Sequence, residues 1–285
     1  MTAVLPAEAP AVLPVGLAAV QELGGGLHHE VWLAYDEHRL APVVVKILRP
    51  ELTGDAAAVA GTLREIDLLS QLAHPSIVRL YEYDDAAERP YLVLEHLDGP
   101  TLSAQIFRDG PVQLHQLLPL ALELAGSVHY LHRCGLVHLD VKPSNVILGA
   151  PARLIDLSLA MPVEDAAGIG QPVGSDEYMP PEQCDPVTYG PIGAASDVWS
   201  IGATLYRAAV GHRAWRGSES DRWPQLSGPP KPVPDFVPAP IRDLLLDCLA
   251  FDPAARPTTA DLVQRIEPML EALPTARLGG FSLRR

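Results

Sequence analysis

The chain has 285 residues, 48% of them hydrophobic, which suits a two-lobed enzyme with a sizeable core and excludes a long disordered tail. Its 35 acidic and 21 basic residues give a net charge of −14, which argues against non-specific binding to nucleic acid or an anionic membrane. Three cysteines, Cys134, Cys184 and Cys248, are odd in number and unpaired in spacing, and read as reduced cytosolic thiols.

The opening run MTAVLPAEAPAVLPVGLAAV has no basic residue ahead of its apolar part and is broken by prolines, so it does not read as a signal peptide. No window approaches about 18 uninterrupted apolar residues, so membrane insertion is not expected and the location reads as cytoplasmic. Residues 16 to about 97 are mostly β-rich. VWLAY (31–35), APVVVKIL (41–48), IVRLYEY (77–83) and PYLVLEHL (90–97) favour strands. One helix interrupts them, from Asp55 to Leu72, with Val59, Leu63, Ile66, Leu69 and Leu72 at three- and four-residue steps. After Asp98-Gly99-Pro100 the pattern becomes helical, with long periodic segments over Leu114–His132, Asp197–Val210, Pro240–Ala250 and Thr259–Leu273. The proline-rich stretch 224–240 reads as an ordered connector between late helices. A small β-rich lobe followed by a larger α-rich one is an α+β bilobal layout.

Seven segments carry chemistry. In LGGGLHHEV (23–31), where one strand turns back into the next, Gly24 and Gly26 would let backbone amides approach a phosphate; read alone, a hairpin turn explains it as well. His29 stands where a third glycine would complete G-x-G-x-x-G, and a stiffer loop tip is expected. VVVKIL (43–48) puts Lys46 in an apolar strand, where an ammonium needs an anionic partner. Glu65, on the core side of the 55–72 helix, is the candidate; the alternative is a snorkelling lysine and a solvated glutamate.

GLVHLDVKPSNVIL (135–148) is the decisive segment. It fits H-x-D-x-x-x-x-N through His138, Asp140 and Asn145, a spacing that can present carboxylate and amide to one site. RLIDLSLAM (153–161) delivers Asp156 from a short strand, sixteen residues after Asp140; alone, such an aspartate is usually a turn residue or cap. GSDEYMPPEQ (174–183), SDVWSIGATLY (196–206) and FDPAARP (251–257) add Ser175, Glu182, Asp197 and Arg256. A metal site from His129, His132, Cys134 and His138 is disfavoured, because no acidic ligand is close in sequence; that helix end reads as packing beneath the 135–148 loop.

From Leu23 to Arg256, in order and spacing, the chain resembles eukaryotic-like (Hanks-type) serine/threonine protein kinases, and its short, insertion-poor, Ala/Pro-rich character looks bacterial. The resemblance implies a bilobal protein-kinase fold. The N-lobe would be 1–97, β-rich with one main helix after an N-terminal extension, and the C-lobe 98–285, α-rich; together they make one domain. It implies ATP between the lobes with magnesium, for which manganese could stand in. Leu23, Gly24 and Gly26 would line the nucleotide, Val31, Val44 and Ile147 sandwich the adenine, Leu94 back the pocket, and Glu95 and Leu97 offer hinge backbone groups. Lys46, paired with Glu65, would hold the α- and β-phosphates. Asp140 would orient the substrate hydroxyl, Lys142 meet the γ-phosphate, and Asn145 and Asp156 hold the metal. Ser175 would hydrogen-bond Asp140 and Lys142. Leu69, Leu80, Leu157 and His138 would stack as an apolar column, Glu182 and Arg256 form a buried ion pair, and Asp197 tie the catalytic loop to its helix. The Asp-x-Lys-Pro-x-Asn run resembles enzymes directed at serine and threonine of protein substrates.

Three departures bear on regulation. Leu139 replaces the arginine that in the family grips an activation-loop phosphate. Leu157–Gly174 contains no threonine or tyrosine and only Ser158. Missing receptor and missing phosphosite agree, and imply a loop ordered by its own packing or by a regulatory partner protein. Leu157-Ser158 replaces Phe-Gly, and Ser158 lacks glycine's freedom at positive φ, so an aspartate-out form is expected to be less accessible. A nucleotide-binding pseudokinase is the main rival, weighed against by the retained Lys46, Asp140, Asn145 and Asp156. A small-molecule phosphotransferase is the other, weighed against by Pro180-Pro181-Glu182, Asp197 and Arg256.

Overall fold

Branched and aromatic residues between tight turns build the first third of the protein, as β-propensity dictates. The computed structural model describes residues 13–218 and 221–273; the reading made on residues 1–12 of the opening run lies outside them. The chain divides into two compact units, Met1–Gly99 with Ile155–Ala160, and Pro100–Leu154 with Met161–Arg285.

In the first unit, β1 (Leu17–Gly24), β2 (His29–Asp36), β3 (Ala41–Leu48), β4 (Leu80–Asp84) and β5 (Tyr91–Glu95) form one antiparallel sheet in the order β1-β2-β3-β5-β4. Ala34, Val43, Val45, Ile47 and Val93 make a buried cluster on it. Helix α1 (Ala56–Gln71) intervenes between β3 and β4, one residue shorter at each end than the periodicity predicts. Asp55 caps it, accepting from the amides of Ala57 and Ala58. Its buried side includes Ala58, Thr62, Glu65, Ile66 and Leu69, the spacing of one helical face. Two of these are polar, so that face needs partners as well as packing. The expected strand over 77–83 starts later: Ile77 and Val78 are buried ahead of β4.

The second unit carries α2 (Leu102–Asp109), α3 (Leu114–Arg133), β6 (Leu136–Val137), β7 (Val146–Ile147), β8 (Arg153–Leu154), β9 (Met161–Pro162), α4 (Val163–Ala167), α5 (Pro181–Cys184), α6 (Pro186–Tyr189), α7 (Ala194–Val210), α8 (Ala239–Cys248) and α9 (Thr259–Glu271). Helix α2, capped by Thr101, goes unread in the sequence because it spans barely two turns. Helix α7 is the axis of the unit: 14 of its 17 residues are buried, which demands apolar or paired side chains on every face. A Cβ at Gly202 would lie 2.5 Å from that of Cys248, so the close approach of α7 and α8 requires glycine. Residues 224–240 are tied down, with a 3₁₀ turn at Pro224–Leu226 and the Tyr206 hydroxyl donating to the Lys231 carbonyl. Among the described residues no helix is long and apolar enough to cross a membrane.

Candidate functional site

The sheet register of the first unit sets Gly24 opposite Val31, Val31 opposite Lys46, and Val44 opposite Leu94. Antiparallel partners share a face, so the glycine-rich turn and Lys46 address one side of the sheet. Lys46 is 7% exposed. Its Nζ donates to Glu65 Oε1 at 2.8 Å and to Asp156 Oδ1 at 2.7 Å. Burial opposes its charge, but the carboxylates of Glu65 and Asp156 outweigh that and hold the ammonium above the ordinary lysine range. Asp156 itself sits at φ +66, a left-handed backbone that a non-glycine residue adopts only when its surroundings impose it. Ser158 is not in that region, so the glycine freedom the sequence suggests is wanted there belongs two residues earlier. Leu23 and the turn from Gly24 to His28 are exposed, and added Cβ atoms at Gly24 and Gly26 would meet nothing within 4 Å. The amide of Glu95 donates to Arg79 O, and its carboxylate accepts from Arg79 N; Leu97 follows, half-buried, just past β5.

In the second unit the chain leaves β6 and passes through His138, Leu139 and Asp140, all buried. Asp197, in the first turn of α7, organises this loop: Oδ2 accepts from His138 N at 2.9 Å and Oδ1 from Leu139 N at 2.8 Å. His132 Nε2–H donates to the same Oδ2 at 2.9 Å. The tie lets Leu139 hold φ +64 with its side chain 1% exposed. Beyond it, Asp140 Oδ1 accepts from the Ser175 hydroxyl at 2.7 Å, Asp140 Oδ2 lies 2.7 Å from Lys142 Nζ, and that ammonium donates to Ser175 Oγ at 2.8 Å. Asn145 Nδ2 donates to the Asp140 carbonyl at 3.0 Å and to Oδ2 at 3.2 Å. The amide nitrogen thus faces Asp140, and the oxygen is the atom Asn145 can offer a cation. Ile147, in β7, is half-buried.

The segment from Met161 to Cys184 is secured without charge at its centre. Gln183, fully buried, donates through Nε2 to Leu139 O at 2.9 Å and Val173 O at 2.7 Å, while Val173 N donates to Gln183 O. Gly174, at φ +118, gives this strap room: a Cβ there would lie 2.8 Å from Gln183 Nε2. Asp176 accepts from Arg222 Nε and Trp223 Nε1, and Gln225 donates to the carbonyls of Asp176 and Met179. Next to it, Glu182 and Arg256 form a bidentate pair, Nη1–Oε1 2.6 Å and Nη2–Oε2 2.9 Å, with side chains 1% and 0% exposed.

The structure therefore brings Lys46, Glu65 and Asp156 into one cluster, and Asp140, Lys142, Asn145 and Ser175 into another. Sequence reading misses Gln183, His132 as a partner of Asp197, and Thr62, which bonds His29. Only His132 had a signal, in a helix end set against the 135–148 loop. His129 is 3.1 Å from Thr259 Oγ1 through Nδ1. Among the described residues no group of three or more His, Cys, Asp or Glu could hold a metal by itself. Asp156 in the first unit offers a carboxylate and Asn145 in the second an amide oxygen, each a donor of the kind magnesium or manganese takes.

A family model described as protein kinase domain matches residues 17–266. The chain is 34% identical over 251 residues to a probable serine/threonine-protein kinase PkwA of Thermomonospora curvata, covering 87% of this chain and 33% of that protein. It is 29% identical over 252 residues to serine/threonine-protein kinase PknB of Mycobacterium leprae, covering 84% and 40%. To serine/threonine-protein kinase PknA of Mycobacterium tuberculosis it is 30% identical over 239 residues, covering 80% and 54%. The chain thus spans between a third and about half of the length of these bacterial relatives.

Proposed function

This chain belongs to the protein kinase family, and from that premise we propose that it transfers the γ-phosphate of ATP to serine or threonine hydroxyls of protein substrates. The observation that carries the reading is the Ser175 hydroxyl bridging Asp140 Oδ1 and Lys142 Nζ at 2.7 and 2.8 Å. It sets a carboxylate and an ammonium side by side, one to take a hydroxyl proton and one to meet a phosphoryl oxygen. Asp140 orients the substrate hydroxyl and accepts its proton as the oxygen bonds to the γ-phosphorus and the bond to the ADP oxygen breaks. Lys142 neutralises the transferring group, and Lys46, steadied by Glu65, holds the α- and β-phosphates. Asn145 and Asp156 would each offer an oxygen to the divalent cation, which would supply positive charge to offset that of the phosphates. Leu23, Gly24, Gly26, Val31, Val44, Leu94, Glu95, Leu97 and Ile147 bind the nucleotide. Substrate chemistry is met by positioning and charge, not by a covalent intermediate.

The reading includes independence from activation-loop phosphorylation. Leu139 offers no charge to a phosphate, and the segment is ordered by the neutral hydrogen bonds of Gln183 and by ion pairs of its own carboxylates, Asp176 with Arg222, Glu177 with Arg213 and Glu182 with Arg256. The decisive experiment incubates the chain with magnesium, γ-labelled ATP and a basic protein acceptor. Asp140→Asn and Lys46→Met are each expected to abolish transfer with circular dichroism unchanged; wild-type-like transfer by either refutes the assignment. ATP binding by the unmodified chain without transfer would favour a regulatory, nucleotide-binding role. Phosphatase treatment is expected to leave activity intact, and loss restored by an activation-loop phosphate would overturn the independence.

A further inference from the structure

His29 stands on β2 at the mouth of the glycine-rich turn, and its neighbours from Gly24 to His28 are exposed while it is 7% exposed. Its Nε2 lies 2.9 Å from Oγ1 of Thr62 on α1, a residue with no exposure at all. The Thr62 hydroxyl donates to the Ala58 carbonyl at 3.1 Å, so the imidazole must be the donor of the shared bond, with its proton on Nε2. Burial, with the nearby Lys46 ammonium, pulls the His29 pKa down to about 3, so the ring is neutral at any working pH.

The placement repeats that of the catalytic pair. His29 and Val31 are two apart on β2 and share a face, and Val31 is the register partner of Lys46. Thr62 and Glu65 are three apart on α1 and share the opposing face. Two steps of strand are about 6.6 Å and one helical turn about 5 Å, so the contacts stack as two rungs between sheet and helix. The turn is drawn onto this rung: Arg49 N donates to His28 O at 2.9 Å, Arg49 Nε to Gly26 O at 3.3 Å, and a Cβ at Gly25 would lie 2.2 Å from His29 O.

We propose that His29 and Thr62 are positioning residues: a latch, one turn from Glu65, that fixes the register of α1 on the sheet and so keeps Glu65 on Lys46. The inference rests on the phosphotransfer reading for its consequence, not for its geometry. An imidazole in place of the third glycine trades mobility of the turn for a fixed helix.

The test compares His29→Ala, Thr62→Val, their combination and His29→Gln, whose side-chain amide can still donate to Thr62. Each is read by hydrogen exchange across α1, by the Kd for a non-hydrolysable ATP analogue, and by KM for ATP against kcat. The latch predicts, for either single change, faster exchange around Glu65 and a Kd and KM raised about ten-fold, the factor that about 1.4 kcal/mol corresponds to. The double change is expected to be no worse than one single, and His29→Gln to restore most of the loss. Unchanged exchange and Kd in His29→Ala, additive singles, or failure of His29→Gln with its fold intact would overturn it. Exchange and analogue binding need no turnover, so they decide the latch even if the unmodified chain transfers no phosphate; that result would sink the phosphotransfer reading alone.

Discussion

Arg256 offers a sharp test of how the second unit is held together. All five of its donors are engaged: two on Glu182, and one each on the carbonyls of Ala195, Ala250 and Phe251, at 2.6 to 3.1 Å. Its guanidinium also lies 5.0 Å from the ring centre of Trp199. Arg256→Met keeps much of the volume but leaves Glu182, 1% exposed, with the Ser196 hydroxyl at 2.8 Å as its remaining described side-chain partner. A buried carboxylate stripped of its counter-charge costs about 3–5 kcal/mol. Glu182→Leu should cost a similar amount, by stranding the arginine. The double change removes both charges, so it should fall short of the sum by about 1–3 kcal/mol, the coupling expected of residues in direct contact. Arg256→Lys should lie between, since one ammonium cannot fill a five-donor fork. Urea unfolding followed by tryptophan fluorescence measures this, since Trp199, stacked on Trp215 at 5.1 Å beside the pair, contributes to the signal. Midpoints are compared at unchanged slope. A loss below about 1 kcal/mol for Arg256→Met, or strictly additive singles, would show that the pair is not the buried linchpin its geometry describes.

Gly174→Ala should destabilise by about 1–3 kcal/mol, because the residue holds φ +118 and its Cβ would meet Gln183, Met179 and Leu139 at 2.8 to 3.0 Å; a thermal midpoint equal to wild type would contradict this. Ser175→Ala should lower kcat about ten-fold or more, the scale of one charge-assisted hydrogen bond, while Ser175→Thr keeps it; equal rates in all three would remove Ser175 from the proposed machinery. At pH 8, iodoacetamide should label one cysteine per folded chain and three after denaturation. Cys134 is exposed, whereas burial pushes Cys184 and Cys248 up to about 12 and keeps them as thiols; native labelling of either, read by mass spectrometry, would refute that.

The kinds of elements and the chemically committed residues could be read directly from local pattern. Branched and aromatic runs beside a Gly-rich turn mark β2 and β3, and the three- and four-residue steps mark α1 and α3. The Asp140 to Asn145 spacing brings the two side chains together because both ends of a short loop must reach one place. Glu65 was legible too, since an ammonium on an apolar strand demands an anion on the facing helix. Partner choice across long separations was not legible in local pattern; the Asp197 tie and the Glu182–Arg256 pair were expected only from the family resemblance. Asp197 takes the amides of His138 and Leu139 from 59 and 58 positions away, and Arg256 reaches Glu182 across 74. Gln183 looks like any short-helix residue until its amide is found strapping Val173 to Leu139. His29 reads as a flaw in a glycine motif until Thr62 is seen facing it. Periodicity fixes which face a side chain occupies, whereas the atom it meets there depends on how whole elements pack, and only the tertiary structure decides that.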